Sequence, residues 1–387
     1  MKLYKRTWAE TDLDALEQNY KRYRALLPED TEIMCVVKAS CYGHSDCAAA
    51  PFLQDELGVK WFAVSNLDEA LRLRKLGIKG EILILGYTAP DEAHELIENN
   101  IIQALVSVEY AERLSVCAKD KGRVRCHAAV DTGMTRIGLR GTAKNIADGL
   151  GTIASLEGIS LEGAFTHYAV ADTMNDESIA YTKNQTALLY AAADIAKSRG
   201  IKLDKVHSLN SAGGIYHYDS RSALARLGII LYGLKPDTAL DLPMQLAPVM
   251  SLRSTVSLVK TIEAGTSVSY GRTFKAPRDM TVATITCGYA DGYPRALSNI
   301  GEILVHGRRC KIVGRVCMDQ FMADVTGIDV HEGDTVTLIG SEGGETITAD
   351  DIAGLTGTIG YEIVCSVSER VPRVAVRNGK RLGIYKL

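Results

Sequence analysis

No stretch of 18 apolar residues occurs anywhere in the 387-residue chain, so nothing in it reads as a membrane-spanning helix. The opening residues Met1-Lys2-Leu3-Tyr4-Lys5-Arg6 run into Trp8-Ala9-Glu10 without the apolar core of a secretory signal, and the expected compartment is the cytoplasm. Excess positive charge is also missing. With 44 Lys and Arg against 47 Asp and Glu, the formal net charge is -3, which offers no basic footprint for DNA or RNA. The nine cysteines, at 35, 41, 47, 117, 126, 287, 310, 317 and 365, are odd in number and contain no C-x-x-C pair. Neither a disulfide framework nor a zinc site is suggested, and reduced thiols without a metal are expected. There is no internal repeat and no low-complexity tract. What remains is ordinary soluble composition, 46% hydrophobic and 24% charged, in a chain long enough for two domains or for one barrel with an appendage.

Short apolar or β-branched runs recur through the first 235 residues: Ile33 to Val37, Trp61 to Val64, Ile82 to Leu85, Ala104 to Val106, Val124 to Val130, Leu161 to Phe165, Val206 to Leu209 and Ala225 to Leu231. Amphipathic stretches separate them, among them Leu67 to Leu76, Ala111 to Lys119, Thr142 to Ile153 and Asn184 to Lys197. Eight strand–helix units behind a leading helix, Leu13 to Leu26 with Thr11 and Asp14 as a capping pair, favour a (β/α)8 TIM barrel over an open doubly wound sheet. After Lys235-Pro236-Asp237 the pattern turns β-rich, as in Met250 to Val259, Thr281 to Cys287, Cys310 to Val313, Met322 to Val325 and Thr335 to Ile339. The expected fold is therefore an α/β barrel over residues 9–240, followed by a mainly β C-terminal domain over 241–387.

Barrel enzymes carry their chemistry at the C-terminal ends of the strands, and the polar residues here favour that end. Lys38 ends the first strand. Asp131 and Arg136 follow the fifth, His167 the sixth, and Asn210 and Ser211 the seventh, while Arg226 and Gly228 belong to the eighth. A lysine half inside a dry pocket loses its proton easily, as a Schiff-base amine requires, although a lone lysine after a core strand is more often just solvated. The loop Asn210-Ser211-Ala212-Gly213-Gly214 stands where barrels often bind phosphate, or is an ordinary turn. Arg226 taken alone reads as half of a buried ion pair.

Together these segments resemble the alanine racemase family of fold-type III pyridoxal-phosphate enzymes over nearly the full length. The matching stretches are Val36-Val37-Lys38-Ala39 with Tyr42-Gly43-His44, Asp131-Thr132-Gly133-Met134-Thr135-Arg136-Ile137-Gly138, Phe165-Thr166-His167, Asn210-Ser211 and Ala225-Arg226-Leu227-Gly228. Further on they are Ser269-Tyr270-Gly271-Arg272, Gly288-Tyr289-Ala290-Asp291-Gly292, Gly314-Arg315-Val316-Cys317-Met318-Asp319-Gln320 and Gly360-Tyr361-Glu362. The resemblance implies interconversion of L- and D-alanine, and with it a supply of D-alanine for peptidoglycan. It also implies a homodimer with shared active sites, in which residues 1–8 join the β domain and that domain completes the partner's site.

By the same resemblance Lys38 anchors pyridoxal 5'-phosphate and serves as one base, and Tyr270 of the other subunit serves the opposite face of Cα. His167 and Arg226 form a relay to that tyrosine, and Arg226 faces the pyridine nitrogen, where a permanent donor weakens the electron sink and suppresses side reactions. Tyr42, Ser211, Gly228, Ile229 and Tyr361 would hold the phosphate, with Asn210 beside them. Arg136 and the Met318 amide would meet the substrate carboxylate, and Tyr289 and Arg315 would line the entrance. Cys317 is expected to pack beside the pocket rather than to act as a nucleophile.

Two departures stand out. Ala129 occupies a position where the family often has a lysine whose carbamate orients the arginine matching Arg136, so another anion, chloride or a carboxylate, holds Arg136 or its placement is looser. Ser40-Cys41 also replaces the usual residues after the lysine. The alternatives are a serine racemase of the glycopeptide-resistance type, against which Tyr361 argues, and a non-catalytic pyridoxal-phosphate carrier, which would lack the second domain. A decarboxylase of the same fold type would want an acidic partner in place of Arg226.

Overall fold

Asp12 is where the first strand turns into the first helix. The computed structural model describes residue 3 and residues 5–386, and in it β1 (Thr7–Asp12) runs directly into α1 (Leu13–Ala25). The Asp12 carboxylate accepts hydrogen bonds from the Asp14 and Ala15 amides and so caps the helix. Thr11, expected to cap, lies within the strand and donates its hydroxyl to the His44 carbonyl instead. The cap falls to Asp12 because its backbone is still extended while the next residue is helical.

Eight parallel strands follow: β2 (Glu32–Val36), β3 (Trp61–Val64), β4 (Glu81–Ile84), β5 (Ile102–Leu105), β6 (Val124–Ala129), β7 (Ile159–Phe165), β8 (Lys205–His207) and β9 (Leu224–Leu227). They pair in chain order, and β9 returns to pair with β2. Between β8 and β9 a Leu209–Ala225 bridge, with bonds from the Ala223 amide to the Val206 carbonyl and from the Arg226 amide to the Leu209 carbonyl, brings the ring to closure. Strands β3, β5 and β9 are buried at every residue, as strands covered on both faces must be. The eighth run is the clearest difference from expectation. Ala225 to Leu231 reads as one strand, but β9 stops at Leu227, and after Gly228 (φ -108, ψ -108) the chain enters a 3₁₀ turn over Ile229–Tyr232. Without a Cβ, Gly228 reaches a backbone shape that leaves the ladder, whereas an apolar run by itself does not separate strand from buried helix.

The remaining chain forms a ten-stranded sheet of mostly antiparallel pairs, built from Met250–Ile262, Met280–Ile285, Glu302–Val305, Arg308–Val313, Phe321–Asp324, Thr335–Glu342, Glu345–Ile347, Arg373–Arg377 and Lys380–Tyr385. Its tenth member is β1, which lies between Met250–Ile262 and Arg373–Arg377. Two short helices, Ala349–Thr356 and Gly360–Ser366, interrupt this β-rich stretch and were not legible as helical periodicity. The second of them packs against the turn that follows β2, where a Cβ on Gly43 would stand 2.1 Å from the Val364 carbonyl oxygen.

Candidate active site

After β2 the backbone does something L-residues resist. Ala39, Ser40 and Cys41 sit near φ +50 to +57 and ψ about +50, Tyr42 has φ +52 and Gly43 φ +80, so Lys38 opens a short left-handed turn. Each non-glycine residue there carries a penalty of roughly 1–2 kcal/mol, which the surroundings must offset. Glu69 accepts from the Ala39 amide at 2.7 Å with one carboxylate oxygen and from the Ser65 amide at 2.7 Å with the other. His44 Nδ1–H points at the Cys41 and Tyr42 carbonyls, 2.9 Å from each. The fully buried Arg373 donates to the Gly43 carbonyl at 2.9 Å and to the Val367, Ser368 and Val371 carbonyls, tying the turn to the end of helix Gly360–Ser366.

This turn presents Lys38 and Tyr42 to two adjoining cavities at the C-terminal end of the barrel, of about 310 and 200 Å³, which share Lys38, Leu85, His167 and Arg226. The larger extends to Ala129, Asp131, Met134 and Arg136, and the smaller to Asn210, Ser211, Gly228, Ile229 and Tyr361. Burial lowers the pKa of Lys38, and the nearby Arg136 charge lowers it further, against an opposing pull from Glu69. His167 is pushed down to about 3 by burial and then by Arg226, Arg136 and Lys38, so its imidazole is neutral. Arg226 is 3% exposed, and burial brings even its guanidinium down to about 10. Among the described residues no carboxylate pairs with Arg226. Its donors meet the Thr166 and Ser208 carbonyls at 2.8 and 3.1 Å, His207 Nδ1 at 2.8 Å and His167 Nδ1 at 3.5 Å. The reading of Arg226 as half of an ion pair therefore fails.

The donor set suits an anion at both ends. In the smaller cavity the Gly228 amide donates to Ser211 Oγ at 2.9 Å, while a Cβ on Gly228 would stand 3.0 Å from the Tyr42 hydroxyl and 3.6 Å from Ser211 Oγ, filling the space between them. Asn210 caps the short helix that Ser211 begins, accepting from the Gly213 amide at 2.8 Å. In the larger cavity Arg136 is exposed and lies within ion-pair distance of no carboxylate among the described residues. Asp131, the obvious candidate, accepts from the Gly133 and Thr135 amides at 3.1 and 2.8 Å through one carboxylate oxygen and lies 3.8 Å from Arg140 Nε through the other. Ala129 joins Ala104 and Phe165 in an apolar patch against Leu85 and Ile137.

Other expected site residues stand apart from Lys38. Tyr270, Tyr289 and Met318 are 69%, 42% and 53% exposed, and neither they nor Arg315 line either cavity of their own chain. They do gather with one another: Ser269 Oγ donates to the Arg315 carbonyl at 2.8 Å, the Tyr289 amide to Cys317 at 3.0 Å, and the Ala290 amide to Met318 at 3.0 Å. Cys317 is half-buried with its Sγ 3.4 Å from the Arg315 carbonyl. Sequence reasoning missed Asp172, which lines the smaller cavity and whose carboxyl burial pushes up, because the loop holding it has no periodicity. It also missed Glu69, which looks like any first-turn acid of a helix.

Residues 11–236 match the family model described as the N-terminal domain of alanine racemase, and residues 249–375 match its C-terminal domain. The chain is 41% identical over 373 residues to the alanine racemase of Desulfovibrio desulfuricans, covering 95% of this chain and 98% of that one. It is also 41% identical over 370 residues to the alanine racemase of Symbiobacterium thermophilum, with 95% and 96% covered. Among solved structures, alanine racemase from Clostridium difficile 630 superposes with a TM-score of 0.93 at 36% identity, covering 100% and 99% of the two chains. The Bacillus anthracis alanine racemase with bound L-Ala-P gives 0.92 at 35%, again over 100% and 99%. A histidine racemase from Leuconostoc mesenteroides gives 0.88 at 29% over 97% and 99%, so the architecture is shared by racemases of different side-chain preference. With both halves of its length matched in order by the two family models, and relatives 41% identical over nearly the whole chain, this chain belongs to the alanine racemase family.

Proposed function

We propose that the protein interconverts L- and D-alanine with pyridoxal 5'-phosphate held at Lys38. The reading is carried by the two joined cavities, in which one lysine stands between a cradle of uncharged donors and an arginine suited to a carboxylate. The cofactor, when bound, supplies an electron sink for the pair left at Cα as its proton departs. Everything else falls to the chain's own residues. Tyr42, Ser211, the Ile229 amide and Tyr361 would hold the phosphate where the missing Cβ of Gly228 leaves room, with Asn210 ordering the Ser211 turn. Arg226, which lines both cavities and can only donate, would keep the cofactor's ring nitrogen from gaining a proton.

Lys38 is both covalent anchor and one base. Its burial favours the neutral amine, which can then take the Cα proton from one side. Tyr270 from a second copy of the chain serves the other side, supported by His167. Arg136 grips the substrate carboxylate through its planar fork, helped by the second copy's Met318 amide, and Tyr289 and Arg315 frame the entrance. Under this reading the barrel, residues 9–240, and the β-rich part, 241–387 with residues 1–8, form a site only as a homodimer. The exposure of Tyr270, Tyr289 and Met318 on one face supports that arrangement. No helix among the described residues is long and apolar enough to cross a membrane, and the proposed setting is the cytoplasm, where the product would feed peptidoglycan.

Chiral analysis of products from a panel of L-amino acids with added cofactor tests reaction and substrate together. L-alanine should turn over fastest. Faster L-serine turnover would move the assignment to a serine racemase, and no D-product from any substrate would leave a cofactor carrier.

A further inference from the structure

Imidazole nitrogens hold Arg226 where a carboxylate would be its ordinary partner. Its Nη1 lies 2.8 Å from Nδ1 of His207 at the end of β8, and His207 Nε2 lies 3.0 Å from Nδ1 of His127 on β6. Both histidines are 0% exposed, and neither lines a cavity at the barrel mouth. A guanidinium has no lone pair to offer, so His207 Nδ1 must accept and the His207 proton sits on Nε2. That Nε2–H then donates to His127 Nδ1, and the His127 proton is left on its own Nε2. The same rule makes His167 Nδ1 an acceptor from Arg226 Nη2, leaving His167 Nε2–H free to donate toward the cavity. One donor-only side chain thus dictates the tautomer of three imidazoles.

The surroundings preserve this order. Burial drives His127 and His167 down to about 3 and His207 well below its usual value, so none of the three competes with Arg226 for charge. Phe165 stacks on His207 with ring centroids 5.2 Å apart and planes 13° apart, which fixes the plane of the relay. Gly163 on β7 makes the room, since a Cβ there would stand 3.0 Å from His127 Nε2 and 2.2 Å from the Lys205 carbonyl oxygen. His127 Nε2 itself finds no partner among the described residues. A buried imidazole with an unmet donor is expensive, and its contact with His207 gives it a reason to be there. Two neutral imidazoles also leave the Arg226 charge undiminished, as a carboxylate would not.

We propose that His127 is a positioning residue: by accepting the His207 Nε2–H it holds the His207 imidazole where its Nδ1 meets Arg226, and so keeps that guanidinium turned toward the cavity. Its consequence for turnover rests on the proposed racemase reading, whereas the proton positions do not. Nitrogen-15 NMR of the histidine-labelled holoenzyme at neutral pH should show His207 unprotonated at Nδ1 and protonated at Nε2. A protonated His207 Nδ1 would overturn the relay. His127→Asn places an amide oxygen near the position of Nδ1, and His127→Leu removes the acceptor at similar volume. The leucine variant should lose roughly 10- to 100-fold in kcat, with KM for L-alanine within about 2-fold and the His207 Nε2 resonance shifted by loss of its acceptor, while the asparagine variant stays within about 3-fold of the parent. Equal losses in the two variants, or an unchanged kcat in the leucine variant, would refute the role. Should the leucine variant fail to fold, the wild-type spectrum and the asparagine variant still decide. The spectra need no turnover, so an inactive parent enzyme would sink the functional reading and leave the relay standing.

Discussion

At the scale of single residues, Arg136 is where this chain departs furthest from what its motif leads one to expect. Beside it the chain has an apolar patch around Ala129 in place of an anchoring anion, and the arginine is left exposed. An exposed guanidinium gripping a carboxylate is screened by salt more than a buried one would be. KM for L-alanine should therefore rise with ionic strength while kcat changes little, and Arg136→Ala should raise KM by roughly 10- to 100-fold, the worth of one charge-assisted pair. A flat KM between low and high salt in steady-state kinetics would show that something else holds the substrate. Several residues that line the two cavities were legible in sequence, since Lys38, His167, Asn210 and Ser211 end or follow apolar runs and Arg226 lies within one. The helix cap was not: Thr11 and Asp12 are both good capping residues, and only the backbone path separates them.

Among the elements, the left-handed turn after β2 governs how Lys38 is presented, and it was invisible to pattern reading because Ala, Ser and Cys have no taste for that conformation. What specifies it lies elsewhere in the chain, in Glu69, Arg373 and the Val364 carbonyl, so no local signal exists. Gly43→Ala should be severe, combining a left-handed φ of +80 with a Cβ 2.1 Å from that carbonyl. Reduced retention of cofactor absorbance through gel filtration, together with a lower melting temperature, is the expected outcome. The turn also confers acid sensitivity. Burial holds His44 down to about 4 in the folded chain against 6.5 when free, so between those values the unfolded chain binds a proton that the folded chain refuses. Stability is therefore lost as pH falls from 6.5 toward 4, at about 1.4 kcal/mol per pH unit for this group. Melting temperature followed over that range should drop, and His44→Gln should flatten the slope.

For the molecule as a whole, alternation of strands and helices sufficed to read the barrel, and the loss of helical period sufficed to read the β-rich half. The role proposed for Tyr270 was beyond such reading, because periodicity describes one chain and this residue lines neither Lys38 cavity of its own. The structure leaves Tyr270 69% exposed in a 3₁₀ turn between the paired strands Ser267–Val268 and Phe274–Lys275, which a head-to-tail homodimer would explain. Complementation separates that arrangement from a site closed by its own chain. Lys38→Ala and Tyr270→Phe should each abolish or strongly impair racemisation as pure proteins. If each site combines Lys38 of one copy with Tyr270 of the other, a mixed dimer of the two variants has one site with both defects and one with neither. Dissociating and remixing equal amounts gives half mixed dimers, each with one sound site of two, so about a quarter of parental activity should return. A site built within a single chain predicts none, since every chain in the mixture carries a defect. Activity that stays at the level of the separate variants, in a mixture shown by mass spectrometry to contain the mixed dimer, would mean that Tyr270 serves its own Lys38 or does not serve at all.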